Sequence, residues 1–148
     1  LWPHAEEAAH AIGVSPHFLV AQAALESGWG KAEIKSADGT PTHNLFGIKA
    51  GAGWSGKVAY SPTTEYVNGK PQSRLEPFRA YGSYAEAFRD YARLITGNPR
   101  YAGAVENAAD PSAFAHALQK AGYATDPHYA SKLDRIMASG TFRQALAA

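Results

Sequence analysis

The 148-residue sequence predicts an α+β fold, mainly α, in which one β-hairpin interrupts a helical body. Three observations carry that prediction. Helix start and stop residues bracket apolar-periodic segments at both ends of the chain. A single Asn-Gly pair separates two strand-like runs in the middle. The chain has no cysteine, yet it is long enough to bury a core without covalent staples.

Taken in order, Pro3 suits a first helical position and Gly13 a left-handed stop, which predicts a short first helix. Ser15 as N-cap and Pro16 in the first turn open a second helix, which runs through HFLVAQAALES to Gly28. From Gly28 to Gly56 the chain reads as loop, with NLFGIK its one compact apolar patch. KVAYSPTTEYV and KPQSRLEPFRA, joined by Asn68-Gly69, predict the hairpin, and Pro62, Pro71 and Pro77 imply short or edge strands. Ser83 and Glu86 stand in capping-box spacing at the head of a helix that Gly97 closes. Asp110-Pro111 and Asp126-Pro127 open two more, the last ending at Gly140. A single domain over 1–148 is expected, with a helical lobe at 1–50 and 81–148, a β-lobe at about 54–80, and a substrate cleft between them.

A formal net charge of +1, with charges of both signs spread along the chain, lacks the basic footprint of a nucleic-acid binder. No apolar run approaches the roughly 20 residues of a membrane span, and the first residues lack the basic start and apolar centre of a signal peptide, so a mature or excised piece is expected. The six histidines show no HExxH or paired spacing, so neither a catalytic metal nor a cofactor is expected. Without a GxSxG elbow, a serine hydrolase is disfavoured.

The chemistry concentrates on the second helix. It is apolar almost all round and therefore buried, and Gln22 and Glu26 are the polar exceptions in its later turns. Apolar surroundings and the negative end of the helix dipole both push the Glu26 pKa upward. A carboxyl group kept protonated near neutral pH can donate a proton to a glycosidic oxygen, the logic by which the acid of lysozyme works. A solvated helix end is the competing explanation.

ALESGWGKA, followed by HNLFGIK and TTEYVNGK and later by GYATDPHYASKL, resembles glycoside hydrolase family 73, the peptidoglycan-cleaving N-acetylglucosaminidases. Within that family the segment looks closest to members that serve flagellar rod assembly. The resemblance implies a lysozyme-like helical body with a β-lobe, and a peptidoglycan glycan strand as substrate. It further implies action in the periplasm or cell wall, with flagellar rod proteins as partners through other parts of a parent chain. Residue by residue it assigns Glu26 as general acid, Glu65 as the base that activates water, and Tyr123 as a phenol facing the acid. Gln22, Trp29, Asn44, Phe46, Trp54, Tyr60 and Tyr66 are the candidates for lining the sugar subsites.

The separation of the two carboxylates decides the stereochemistry: about 5 Å for retention and roughly 6.5 to 9.5 Å for inversion. Inversion is ranked first and assistance by the substrate's acetamido group second. A lytic transglycosylase and a non-catalytic wall-binding module are the alternatives.

Overall fold

The computed structural model describes residues 2–29 and 31–147. Helices α1 (Trp2–Ile12) and α2 (Pro16–Ser27) come first. The hairpin strands β1 (Lys57–Val67) and β2 (Lys70–Ala80) follow, and then α3 (Tyr84–Gly97), α4 (Ala102–Glu106), α5 (Pro111–Lys120), α6 (Tyr129–Ala138) and α7 (Gly140–Ala147). The expected α+β architecture, mainly α, is present.

Local chemistry sets most boundaries. Ser15 Oγ accepts the His17 N–H and Pro16 fills the first turn of α2. Gly28, at φ 59°, turns the chain left-handed and returns its N–H to α2 carbonyls. Ser83 Oγ caps the Glu86 N–H, while the Glu86 carboxylate reaches one residue further back than a capping box requires, to the Gly82 N–H at 2.9 Å.

The hairpin turn has positive φ at both Asn68 (53°) and Gly69 (79°), the requirement of a type I′ turn. Both strands are 11 residues long rather than short. Prolines are tolerated because a two-stranded sheet is all edge. The outer edge of β2 is partly covered by residues 48–50, through Ala50 N–H to Pro77 O and Arg79 N–H to Ile48 O.

Three boundaries depart from expectation. Pro99–Tyr101 forms a 3-10 turn leading into α4, a stretch without a strong sequence signal. The Asp126-Pro127 pair does not open α6 directly: Asp126 caps the His128 N–H in a preceding turn, and the helix starts at Tyr129. Gly140, expected as a stop, instead begins α7, because Ser139 in extended conformation breaks the helix just before it.

α1 packs on α3, and α2 on α1 and α6. Phe18, Leu19 and Ala21 of α2 are fully buried, with the Phe18 ring edge-on to Phe114 of α5. Phe46, from the loop before the hairpin, stacks on Tyr91 of α3 at 4.2 Å. That contact plants the NLFGIK segment in the core, beside the end of α2.

Candidate active site

The end of α2, residues 46–49, the hairpin and the α5–α6 loop enclose a cleft of about 760 Å³. Glu26 stands at its base, in the last turn of α2. Burial, first, and then the negative charges of Glu65 and Asp126 raise its pKa to about 7, against the pull of a hydrogen bond from Tyr129. Gly47 leaves room beside it: φ is +65°, and a Cβ there would stand 2.8 Å from Glu26 Oε2.

Glu65 reaches the cleft from β1 and is treated differently. Burial alone would raise its pKa, but hydrogen bonds from Lys49 and Thr125, with the charges of Lys49 and Arg74, hold the carboxyl below its ordinary value. Lys49 Nζ forms an ion pair with it. Thr125 Oγ1 donates to Glu65 Oε2 at 2.8 Å and accepts the Tyr66 backbone N–H at 2.9 Å. The hairpin is thus pinned to the α5–α6 loop at the cleft.

Tyr123 lies beside the acid, with its ring among those of Tyr91, Tyr101 and Tyr129. Its hydroxyl donates to the Phe46 carbonyl at 2.7 Å, fixing the peptide that leads into Gly47. Burial raises its pKa well above the usual range, so it is a neutral phenol.

Glu26, Glu65, Tyr66 and Tyr123 therefore line one cleft, and Phe46 forms part of its wall. Five candidate sugar contacts do not line this cleft. Gln22 is fully buried, and Asn44 is 4% exposed, with its side chain bonded to the Ile48 N–H and to the Ile48 and Arg79 carbonyls. Asn44 shapes the loop. Trp54 lies outside the cleft lining, against Arg79 and Tyr81, with its indole N–H on the Lys57 carbonyl. Tyr60 is 63% exposed on the hairpin face opposite buried Ala59, as strand alternation requires. Trp29 sits outside the cleft lining, edge-on to Phe142.

Sequence reasoning missed Lys49, Thr125, Asp126 and Tyr129. Asp126 lines the cleft, paired with Lys132, and burial is outweighed there by that partner and the His128 N–H, so its pKa is lowered. The Asp-Pro spacing suggested a helix cap, which hid it. Lys49 sat in the quoted NLFGIK segment, but its partner lies 16 positions away and no local pattern links them. Among the described residues, no three or more His, Cys, Asp or Glu gather as metal ligands would. None of the described helices is long and apolar enough to cross a membrane.

A helical body, a two-stranded lobe and a protonated carboxyl at a helix end facing the cleft between them define a lysozyme-like glycoside hydrolase. The chain belongs to the glucosaminidase family, glycoside hydrolase family 73: residues 2–141 match the family described as mannosyl-glycoprotein endo-beta-N-acetylglucosaminidase. It is 49% identical over 146 residues to the peptidoglycan hydrolase FlgJ of Pseudomonas aeruginosa, covering 99% of this chain and 36% of that protein. The FlgJ of Escherichia coli K12 is 52% identical over 133 residues, 90% of this chain and 42% of that one. This chain therefore spans well under half the length of these curated relatives.

Among solved structures, a peptidoglycan hydrolase mutant from Sphingomonas sp. A1 superposes with a TM-score of 0.93 at 55% identity, covering 99% of this chain and 94% of that one. A C-terminally truncated glycoside hydrolase domain from Salmonella typhimurium FlgJ gives 0.72 at 48% identity, over 100% and 94% of the two chains.

Proposed function

We propose that this chain hydrolyses the β-1,4 bond between N-acetylglucosamine and N-acetylmuramic acid in bacterial peptidoglycan, cutting within the strand. The observation that carries this is Glu26, a carboxyl group with a pKa of about 7 facing a cleft that also holds Glu65. Near neutral pH it combines a protonated form with enough acidity to give the proton up. Relatives that carry the name peptidoglycan hydrolase support the substrate.

In this mechanism Glu26 protonates the leaving oxygen. Glu65 is already ionised, and once substrate displaces Lys49 it takes a proton from the attacking water, giving inversion. Tyr123 has its proton on Phe46 and offers only lone pairs to the substrate. The site of action is the periplasm or cell wall, where the polymer lies. The role is to open the wall for the flagellar rod, in contact with rod proteins through segments such as those that extend the FlgJ relatives beyond the matched span.

The ion pair between Glu65 and Lys49 favours a second reading, in which the substrate's acetamido group replaces the water-activating base. A carboxylate so paired is a weak base. The lytic transglycosylase alternative draws on the same observation.

Mass spectrometry of borohydride-reduced fragments from purified peptidoglycan separates these outcomes. Fragments ending in reduced N-acetylglucosamine, absent with Glu26→Gln, are expected. Anhydromuramic ends would establish a transglycosylase, and no soluble fragments at all would leave a binding module.

A further inference from the structure

Gln22 lies one helical turn before Glu26 and is fully buried, as is Tyr91. Its amide oxygen accepts the Tyr91 hydroxyl at 2.6 Å, and its amide nitrogen donates to the Tyr129 hydroxyl at 2.8 Å. Tyr129 in turn lies against Glu26, and its hydroxyl pulls the acid's pKa down. Four side chains from α2, α3 and α6 thus form one enclosed line that ends on the acid.

Donor counting fixes its direction. Were the Gln22 amide turned over, its NH₂ would face Tyr91, and that phenol's proton would lose its acceptor inside the core. As arranged, no buried side-chain polar atom among the described residues lacks a partner. With the amide nitrogen facing Tyr129, the Tyr129 oxygen accepts on that side and its single proton is available for Glu26. Every link donates the same way, from Tyr91 towards the acid.

A protonated carboxyl group has one oxygen that accepts and one that carries the proton. The oxygen that receives the Tyr129 proton must be the acceptor, so the acid's own proton sits on the other. If the chain ran in reverse, Glu26 would have to donate inward to Tyr129, and its proton would point away from any leaving group.

We propose that Tyr91, Gln22 and Tyr129 form a positioning chain that keeps the transferable proton of Glu26 on its outer, cleft-facing oxygen. The proposal rests on Glu26 being the general acid. Gln22 and Tyr91 act through Tyr129 and touch no substrate.

The test is the pH profile of kcat/KM on purified peptidoglycan for the intact chain, with the alkaline limb read as the loss of the Glu26 proton. The groups facing Glu26 are Tyr129 of α6, Tyr91 of α3, Tyr123 and Asp126 of the α5–α6 loop, and Glu65 of β1. Asp126 and Glu65 are paired with Lys132 and Lys49 and titrate far below that limb.

Tyr129→Phe removes the donor to the carboxylate, so the limb moves up by about one pH unit while kcat falls on the order of tenfold. Gln22→Met, which keeps the length of the side chain, moves the limb the same way by less. Tyr91→Phe moves it least. KM should stay within a factor of two throughout. A purely structural role would instead give losses that follow the melting temperature with the limb unmoved, and folded variants showing that pattern overturn the proposal. Glu26→Gln separates the two layers: if it keeps activity, the acid assignment fails; if it is inactive while Tyr129→Phe keeps the wild-type limb, only the positioning chain fails.

Discussion

At the end of α2 a carboxyl group stands among apolar and phenolic neighbours; across the cleft, on β1, another stands between an ammonium and a hydroxyl. Glu26 has Tyr129 beside it and no ion-pair partner among the described residues, and its proton is retained to about pH 7. Glu65 has Lys49 and Thr125, and its carboxyl ionises below the ordinary range. The difference lies in the supporting element. A helix end set into a packed body exposes a side chain to what the core provides, and this core is aliphatic and aromatic. A two-stranded hairpin has no core of its own, so Glu65 finds partners on the segments it leans against, residues 48–50 and the α5–α6 loop.

The most severe way to break the comparison is Glu26→Gln, which removes the acid without changing its shape. Hydrolysis of peptidoglycan is expected to fall by roughly 10³-fold, within the range of general acid catalysis, with circular dichroism unchanged. Release of soluble fragments at the wild-type rate would contradict the role assigned to the helix end.

The same variant sharpens the comparison through stability. The folded protein binds the Glu26 proton more tightly than the unfolded chain, so this group's contribution is complete below about pH 4.5 and is lost as pH rises to about 7. Urea unfolding should therefore find Glu26→Gln more stable than wild type at pH 8, by about 2–3 kcal/mol, with the gap closing by pH 4.5. A gap independent of pH would mean that Glu26 is ordinarily solvated.

On the hairpin side, Glu65→Gln is expected to cost about tenfold in kcat, and added azide should restore turnover with an azide-capped product, the behaviour of a missing water-activating base. Indifference to azide would favour acetamido assistance. The smallest effect is expected from Lys49→Met. Loss of the ion pair raises the Glu65 pKa, so the acidic limb of the pH profile should move upward while maximal activity changes by about threefold or less. A fixed acidic limb would separate that limb from Glu65.

What the sequence made legible follows the same division. Ser15, Gly28 and the Asn68-Gly69 turn act on the chain within a few residues of themselves, and each was readable in place. Glu26 was readable because the helix carrying it is apolar almost all round, so a carboxylate there broke a local rule. Lys49, Thr125 and Tyr129 were not readable, since each gains its role from a partner more than 15 positions away. Gln22 and Asn44 were misassigned for a related reason: polarity in the sequence suggested contact with a ligand, whereas both amides serve buried hydrogen bonds. Trp54 and Tyr60 show that an aromatic residue near a cleft in sequence can lie outside its lining in space.

The contrast between the two carboxyl groups can be measured in one sample, by ¹³C NMR titration of side-chain carboxyls, with Glu26→Gln and Glu65→Gln providing the assignments. Glu26 is expected to titrate with a midpoint of about 7, and Glu65 below 4.5. A Glu26 midpoint near 4.5 would mean that the acid is ionised at neutral pH and would contradict the account at its centre.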